Sequence, residues 1–179
     1  MSILSLFHGT IYDFSIIDLS VCRINTDFGR GFYLTEDKAQ AVDFASKLRD
    51  RENGRRFKRK KKLLNTAYVY EFQFDINLVQ RLNVKVFSRV DKEWLKFIVL
   101  NRESNMMMHN YDIVIGPTAD ARAQSIIADY RYKLKETNFS DDICKEVISK
   151  LRVHKLTTQY CFCTYEAIQY LQFIWRRIV

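Results

Sequence analysis

The glycines of this 179-residue chain are few and unevenly placed, which limits where its backbone can turn tightly. The sequence holds five glycines and one proline, and two of the glycines, Gly29 and Gly31, lie in the stretch DFGRGFYLT. Glycine accepts a positive φ and lets another group approach the backbone closely. The spacing therefore predicts a tight loop at residues 27–31, in which each glycine has one of these roles, followed by a short strand GFYLT.

The remaining pattern predicts one α+β domain over residues 1–179. Strands are indicated at 3–9, 66–75, 82–88, 111–117 and 156–163, and we expect 82–88 to pair with 66–75. Helices are indicated at 35–50, 91–104, 119–134, 140–153 and 164–174. In the first helix Thr35 is the expected N-cap, and Ala41, Phe44, Ala45 and Leu48 the buried face. The strands and helices do not alternate regularly enough for a doubly wound sheet.

Composition excludes several classes of protein. A hydrophobic fraction of 47% with 14% aromatic residues argues against disorder. No apolar run reaches the roughly 18 residues that span a bilayer, and the beginning MSILSLFHGT fits a strand better than a signal peptide. Cys161 and Cys163 share a strand face and are poorly placed to bridge, so we expect reduced cysteines and a cytoplasmic location. The histidines and cysteines do not have a zinc spacing, and no metal is expected.

The positive charge is concentrated in one segment. Between Arg49 and Lys62 the sequence RDRENGRRFKRKKK has nine basic and two acidic residues, or +7 of the total +8. Gly54 and the lack of an apolar face predict a loop or a solvated helix extension, and we place a basic loop insertion at about residues 49–64. Three interpretations stay open: a phosphate-binding segment for nucleic acid, a docking site for an acidic partner, and a solvated segment without a partner.

Two short motifs carry candidate chemistry. In FHGT, residues 7–10, His8 ends a strand and can present a ring nitrogen to a ligand that the bare backbone of Gly9 admits, although a strand-edge histidine and a turn glycine explain the motif more simply. In DFGRGFYLT, Arg30 can meet a phosphate and Tyr33 can stack on a planar ring. The Asp-Phe-Gly triplet is not a kinase signature here, because the other kinase motifs are missing.

These motifs together resemble the ADP-ribosyltransferase superfamily in its histidine–tyrosine–glutamate branch. The chain is most similar to a bacterial family of small proteins with HG[TS], DFGxGFYLT and YDIVIGPxAD blocks, the last present here as YDIVIGPTAD at residues 111–120. The resemblance spans nearly the whole chain. It implies a split pair of small antiparallel sheets with flanking helices, and NAD bent in the cleft between the sheets as a substrate.

The resemblance also assigns roles to residues. His8 would bond a ribose hydroxyl, the backbone of Gly9 would hold the nicotinamide amide, and Tyr33 would stack on the nicotinamide ring. The enzyme would break the nicotinamide–ribose bond through an oxocarbenium-like state. The residues expected to contact NAD are His8, Gly9, Thr10, Asp27, Phe28, Gly29, Arg30, Gly31 and Tyr33.

The third catalytic position departs from the superfamily pattern. A glutamate at the start of the late strand is replaced by Gln159, which can accept the same hydrogen bond but carries no negative charge. Glu166 lies seven residues further on, and Asp27 or an acid of the target is an alternative source of charge. Gln159 argues against the synthesis of long poly(ADP-ribose) chains.

The resulting hypothesis is a mono-ADP-ribosyltransferase that modifies a macromolecule, either protein or nucleic acid. A bacterial protein of this type would act as a toxin held by an antitoxin protein, or in phage defence. Two alternatives stay open. The chain would bind NAD, ADP-ribose or nucleic acid without catalysis, or it would transfer a 2′-phosphate from RNA to NAD, for which the sequence offers few arginine ligands.

Overall fold

A computed structural model describes residues 3–179. In this range the chain forms seven strands and five α-helices, with short 3-10 helices at Leu19–Val21, Ile76–Arg81 and Val153–Lys155. In chain order the elements are β1 (Ile3–Thr10), β2 (Phe32–Thr35), α1 (Lys38–Lys58), β3 (Tyr68–Asp75), β4 (Val84–Val86), α2 (Lys92–Glu103), β5 (Ile113–Pro117), α3 (Ala121–Glu136), α4 (Asp141–Lys150), β6 (Thr158–Phe162), α5 (Tyr165–Ile168) and β7 (Leu171–Ile178). The predicted α+β class is confirmed.

The strands form one mixed sheet in the order β4-β5-β6-β2-β1-β3-β7. β4 and β5 are parallel, and the other neighbouring strands are antiparallel. The join between β1 and β2 is short, because Phe7↔Thr35 is its single registered pair, whereas β1 and β3 register at eight positions and β2 and β6 at four. We call the join between β1 and β2 the seam. Residues 8–10 of β1 have no registered partner on β2 and register with β3 alone.

Helices cover one face of the sheet in two groups. Ala41 and Ala45 of α1 pack on Phe7 and Val69, while α2, α3 and α4 pack on Val114 and Cys161. The opposite face buries a second cluster, because side chains alternate along a strand. That cluster includes Leu6, Phe32, Phe72, Phe74, Ile113, Ile115 and Phe162. Each such side chain contributes about 1.5–3 kcal/mol on full burial. Across residues 3–179, no helix has the length and apolar character needed to cross a membrane.

The start of α1 differs from its prediction. The N-cap is Asp37, whose carboxylate accepts the Gln40 N–H at 3.1 Å, whereas Thr35 ends β2. Ala41 and Ala45 are buried as expected, but Phe44 is 55% exposed. Thr35 was the wrong choice of cap because the strand, which pairs with β1 and β6, extends through it.

The predicted basic loop at about 49–64 is wrong over residues 49–58, where α1 continues to Lys58. The alternative of a solvated helix extension is correct for this part. Glu52 pairs with Arg55 and Arg56 at the helical spacings of three and four residues, which favours the helix. Gly54 lies in open space and weakens the helix without ending it.

Two further predictions were wrong at the edges of the sheet. Only Tyr165–Ile168 of the expected final helix is helical, and Leu171–Ile178 pairs with β3, whose backbone groups would otherwise lack partners. The segment 82–88 does not pair with β3 either. Its residues Val84–Val86 lie parallel to β5 at the other end of the sheet.

Candidate functional site

The seam is bridged by the side chain of His8. Its Nδ1 lies 2.8 Å from the backbone oxygen of Tyr33 on β2. A carbonyl can only accept, so Nδ1 carries the proton and Nε2 has a lone pair available as an acceptor. Burial lowers the pKa of His8 to about 4, against the smaller raising effect of the Tyr33 carbonyl, so the ring is neutral near pH 7.

The Nε2 atom of His8 is not used by the fold. Among residues 3–179 it has no hydrogen-bond partner, and it is not among the fully buried polar atoms that lack one, which are Arg30 Nε and Asn101 Oδ1. Nε2 is therefore not fully buried, although the ring as a whole is only partly exposed. The ring itself is fixed by Phe32, 4.3 Å away between centroids, and by the edge of Phe14 at 6.0 Å.

Phe14 is held over His8 by polar contacts to the sheet. Its ring stacks on Tyr70 at 4.1 Å, and its N–H donates to the Tyr70 hydroxyl at 2.8 Å. The Tyr70 hydroxyl donates in turn to Asp13, which pairs with Arg176. These contacts anchor the segment that follows β1 and fix one wall beside the seam.

Gly9 and Thr10 have roles within the fold. A Cβ on Gly9 would lie 2.1 Å from the backbone oxygen of Ala41, so the bare backbone allows α1 to pack closely on β1. Thr10 is buried, and its hydroxyl accepts the Tyr12 N–H at 3.2 Å. The group that approaches Gly9 is thus a helix of the same chain, whereas the sequence predicted the approach of a ligand.

The loop at residues 27–31, which we call the glycine-rich loop, also holds glycines where another group approaches the backbone closely. Gly29 has a φ of +78°, and a Cβ there would lie 2.9 Å from Asn101 Oδ1. Gly31 lies so close to β6 that a Cβ would be 2.3 Å from Cys161 Sγ. Both predicted reasons for glycine are confirmed, one at each position.

Tyr33 closes this loop from β2. Its hydroxyl donates to the Gly29 oxygen at 2.8 Å, accepts the Phe28 N–H at 2.9 Å and lies 2.8 Å from the Thr26 hydroxyl. Burial raises the pKa of Tyr33 well above its usual value. The ring is half-buried, on the sheet face opposite the His8 ring, because neighbouring residues of β2 alternate. The structure thus joins His8 to the backbone of Tyr33 and not to its ring.

A buried carboxylate connects the loop to Gln159. Asp27 Oδ1 accepts from Arg102 Nε at 2.6 Å, and Oδ2 accepts from the Ala119 N–H at 3.0 Å and from Gln159 Nε2 at 3.2 Å. Asp27 is 5% exposed and Gln159 9%. The amide nitrogen of Gln159 is therefore held by Asp27, which leaves its oxygen as the free acceptor. Arg102 was missed because nothing in the local sequence marks it.

The segment 104–110 contacts the glycine-rich loop through His109 and Met107. His109 Nδ1 accepts the Tyr111 N–H at 3.2 Å, so Nε2 carries the proton and donates to the Phe28 oxygen at 2.8 Å. Burial lowers the pKa of His109. Met107 Sδ accepts the Arg30 N–H at 3.1 Å. Met107, one of three consecutive methionines at residues 106–108, thus contacts the glycine-rich loop.

Other parts of the molecule offer less chemistry. Among residues 3–179 there is no group of three or more His, Cys, Asp or Glu side chains that could hold a metal ion. The four cysteines are free, with Cys161 and Cys163 3.5 Å apart between sulfurs. Two surface cavities, of about 330 and 370 Å³, are lined by none of the predicted site residues.

Fold and site together define an α+β protein with a mixed sheet that is nearly divided at a seam, beside a closed glycine-rich loop. A family model described as "Protein of unknown function (DUF3990)" matches residues 4–173, and the chain belongs to this family. The match includes the seam, the loop and Gln159. No curated protein and no solved structure matches the chain.

Proposed function

We propose that this protein binds NAD at the seam and transfers a single ADP-ribose from it to a macromolecule, as the resemblance to ADP-ribosyltransferases implies. The observation that carries the proposal is His8, a neutral imidazole at the seam whose Nε2 is not fully buried and has no hydrogen-bond partner among residues 3–179. The short join between β1 and β2 supports the split arrangement as well. The two small sheets would be β4-β5-β6-β2 and β1-β3-β7.

Three side chains offer contacts that NAD requires. His8 Nε2 would accept a hydrogen bond from a ribose hydroxyl. Gln159 lies on the other face of the sheet, together with Tyr33, so the ligand would have to reach it across the seam. There its oxygen would accept a hydrogen bond, because its nitrogen is already bonded to Asp27. Arg30 has a buried Nε without a partner in the described part of the chain, a donor that suits the diphosphate. NAD supplies the bond that breaks: its electron pair leaves with nicotinamide, and the acceptor bonds to ribose as it loses a proton.

The electrostatics of the site favour slow, single transfer. A glutamate at position 159 would place a negative charge beside the developing positive charge of the sugar. Gln159 brings none, and the carboxylate of Asp27 behind it is paired with Arg102. The loss of one preorganised catalytic group costs about 3 kcal/mol, which corresponds to a rate about a hundredfold lower.

A second candidate is an NAD- or ADP-ribose-binding module without catalysis. The specific observation in its favour is that the Tyr33 hydroxyl and the Asp27 carboxylate are both already bonded within the loop. These groups could not take part in chemistry without breaking those bonds. Gln159→Glu would replace a donor to Asp27 by a second carboxylate about 3 Å away, so transfer of label by the wild-type chain, measured beside its NAD binding, separates the candidates.

The test is transfer of label from adenine-labelled NAD by the purified protein in cell lysate, with protease or nuclease treatment before detection. His8→Gln is the test variant and His109→Gln the matched control, since each histidine bonds one backbone carbonyl. The proposal expects label that depends on His8 and survives in the control. Label of equal strength in His8→Gln contradicts it. NAD binding without label identifies the binding module.

The proposed action as a toxin has its own test, growth of bacteria that express the chain. Growth inhibition caused by transfer should be relieved by His8→Ala combined with Tyr33→Ala. Inhibition that persists in a soluble, folded double variant contradicts toxicity by transfer. Co-purification of an inhibitor protein with the wild-type chain would support the antitoxin partner.

A further inference from the structure

The second half of α1 presents positive charge along one face. Arg51, Arg55, Lys58 and Arg59 are exposed and recur at spacings of three and four residues, which places them on the same side of the helix. Lys60, Lys61 and Lys62 follow directly and are also exposed. We call these seven residues the basic stripe. The helix thus aligns charges that the sequence analysis places in a loop.

Most of this charge is not compensated by neighbouring acids. Glu52 lies 3.8 Å from Arg55 and 3.2 Å from Arg56, on the edge of the stripe. Among residues 3–179, no acidic side chain pairs with Arg51, Lys58 or Arg59 within the 4.0 Å distance of a salt bridge. The stripe therefore projects a net positive field into solvent.

Helix stability explains only part of the stripe. Cations in the last turn of a helix interact favourably with its dipole, which accounts for Lys58. That effect fades within one turn, and Arg51 lies about two turns from the end of α1. Residues 60–62 lie beyond the end of α1, so the stability of the helix does not account for their charge.

We propose that the basic stripe binds the sugar–phosphate backbone of a nucleic acid. Charges four residues apart are about 6 Å apart along a helix axis, and rows of lysine and arginine with this density bind phosphates by releasing counterions. An acidic protein partner would need an apolar centre as well. The stripe has no apolar member: Phe57, which is 76% exposed, lies one position from Lys58 and two from Arg55 and so points to another side of the helix. This inference does not depend on the transfer of ADP-ribose.

The test is fluorescence anisotropy of a labelled single-stranded oligonucleotide, in DNA and RNA versions, titrated with the full chain at several salt concentrations. We expect binding that weakens steeply with salt. In Arg51→Gln/Lys58→Gln/Arg59→Gln, the loss of three phosphate contacts should reduce the salt slope by about 2 and lower affinity about a hundredfold near 0.1 M salt. Phe57→Ala, on another side of the helix, should change neither the affinity nor the salt slope.

The matched control removes three exposed charges elsewhere, in Arg122→Gln/Arg131→Gln/Lys145→Gln on α3 and α4. It should bind as the wild type does. Replacement of two stripe arginines by lysine, in Arg51→Lys/Arg59→Lys, should retain binding. Retained binding would show that the positive charge is the cause. The proposal is overturned if the wild type does not bind, if the two triple variants lose affinity equally, or if polyglutamate binds as tightly as the oligonucleotide.

Discussion

His8 and His109 make the same first contact and differ in the second. Each ring places one nitrogen 2.8 Å from a backbone oxygen, that of Tyr33 for His8 and that of Phe28 for His109. Burial lowers the pKa of both. The other nitrogen of His109 accepts the Tyr111 N–H, while that of His8 is not fully buried and has no partner among residues 3–179. The loop region around His109 is thus closed, and the seam around His8 has an acceptor to offer a ligand.

This contrast assigns a structural role to the polar groups of the glycine-rich loop and a ligand-binding role to His8 at the seam. Around the glycine-rich loop, the polar atoms of Tyr33, Asp27 and His109 make hydrogen bonds within the fold. Substitutions there should first lower the free energy of unfolding. At the seam, a substitution of His8 should first change ligand binding. Each prediction below tests one side of this comparison.

The largest effect is expected at Asp27. Asp27→Asn removes the charge that Arg102 faces and gives Gln159 Nε2 a competing donor, so we expect a loss of about 3 kcal/mol in the free energy of unfolding, measured in urea. The double variant Asp27→Asn/Arg102→Met removes both charges and should recover part of the loss. A loss below about 1 kcal/mol in the single variant would show that the loop region is not closed by this pair.

Gly9→Ala is the next largest. The new Cβ would meet the Ala41 oxygen at 2.1 Å, so α1 must move away from β1, at a cost of about 2 kcal/mol. Gly54→Ala, on α1 itself, is the matched control, because nothing lies near its Cβ position. It should raise the free energy of unfolding by about 1 kcal/mol. Thermal unfolding of the two variants should shift in opposite directions. A shift in the same direction would contradict the close packing at Gly9.

The pH dependence of stability tests the neutral state of His8. Its folded pKa of about 4 lies below the unfolded value of about 6.5, so the unfolded chain binds more protons between these values. The free energy of unfolding should therefore fall as pH drops from about 6.5 towards 4. Because the ring is partly exposed, we expect about 2 kcal/mol, measured as the extra loss of the wild type over His8→Gln. Parallel pH profiles of the two proteins would contradict a folded state in which His8 is held neutral.

The smallest effect distinguishes the two histidines directly. His109→Gln should lose about 1 kcal/mol of stability because the Phe28 oxygen loses its donor, and should retain NAD affinity. His8→Gln should lose less stability and most of its NAD affinity, measured by calorimetry. The reverse pattern would assign the ligand to the loop region.

Local signals in the sequence predicted much of the fold. β1, β5 and α2 follow from short apolar runs or from helical spacing of Trp94, Leu95, Ile98 and Val99, and the positive φ of Gly29 follows from the glycine pattern. β7 could not be predicted in this way. Its residues have a spacing that also fits a helix, and the free edge of β3, about a hundred residues earlier in the chain, decides the outcome.

The sequence likewise predicts the residues of the candidate site but not the contacts between them. The motifs singled out His8, Asp27, Gly29, Tyr33 and Gln159 because each lies in a recognisable stretch. They could not show that Asp27 bonds Gln159 or Arg102, since these partners are 132 and 75 residues away. Nor could they show that alternation along β2 turns the Tyr33 ring away from His8.

The seam also has a consequence for the order of folding. The strands on its two sides are completed by late parts of the chain: β6 joins β2 across more than a hundred residues, and β7 joins β3 at a similar separation. Pairings of high sequence separation form slowly. A ribosome-bound chain can therefore finish neither side of the sheet before residues 158–178 have been synthesised. Until then β2 and β3 both present unpaired edges to other chains in the cell.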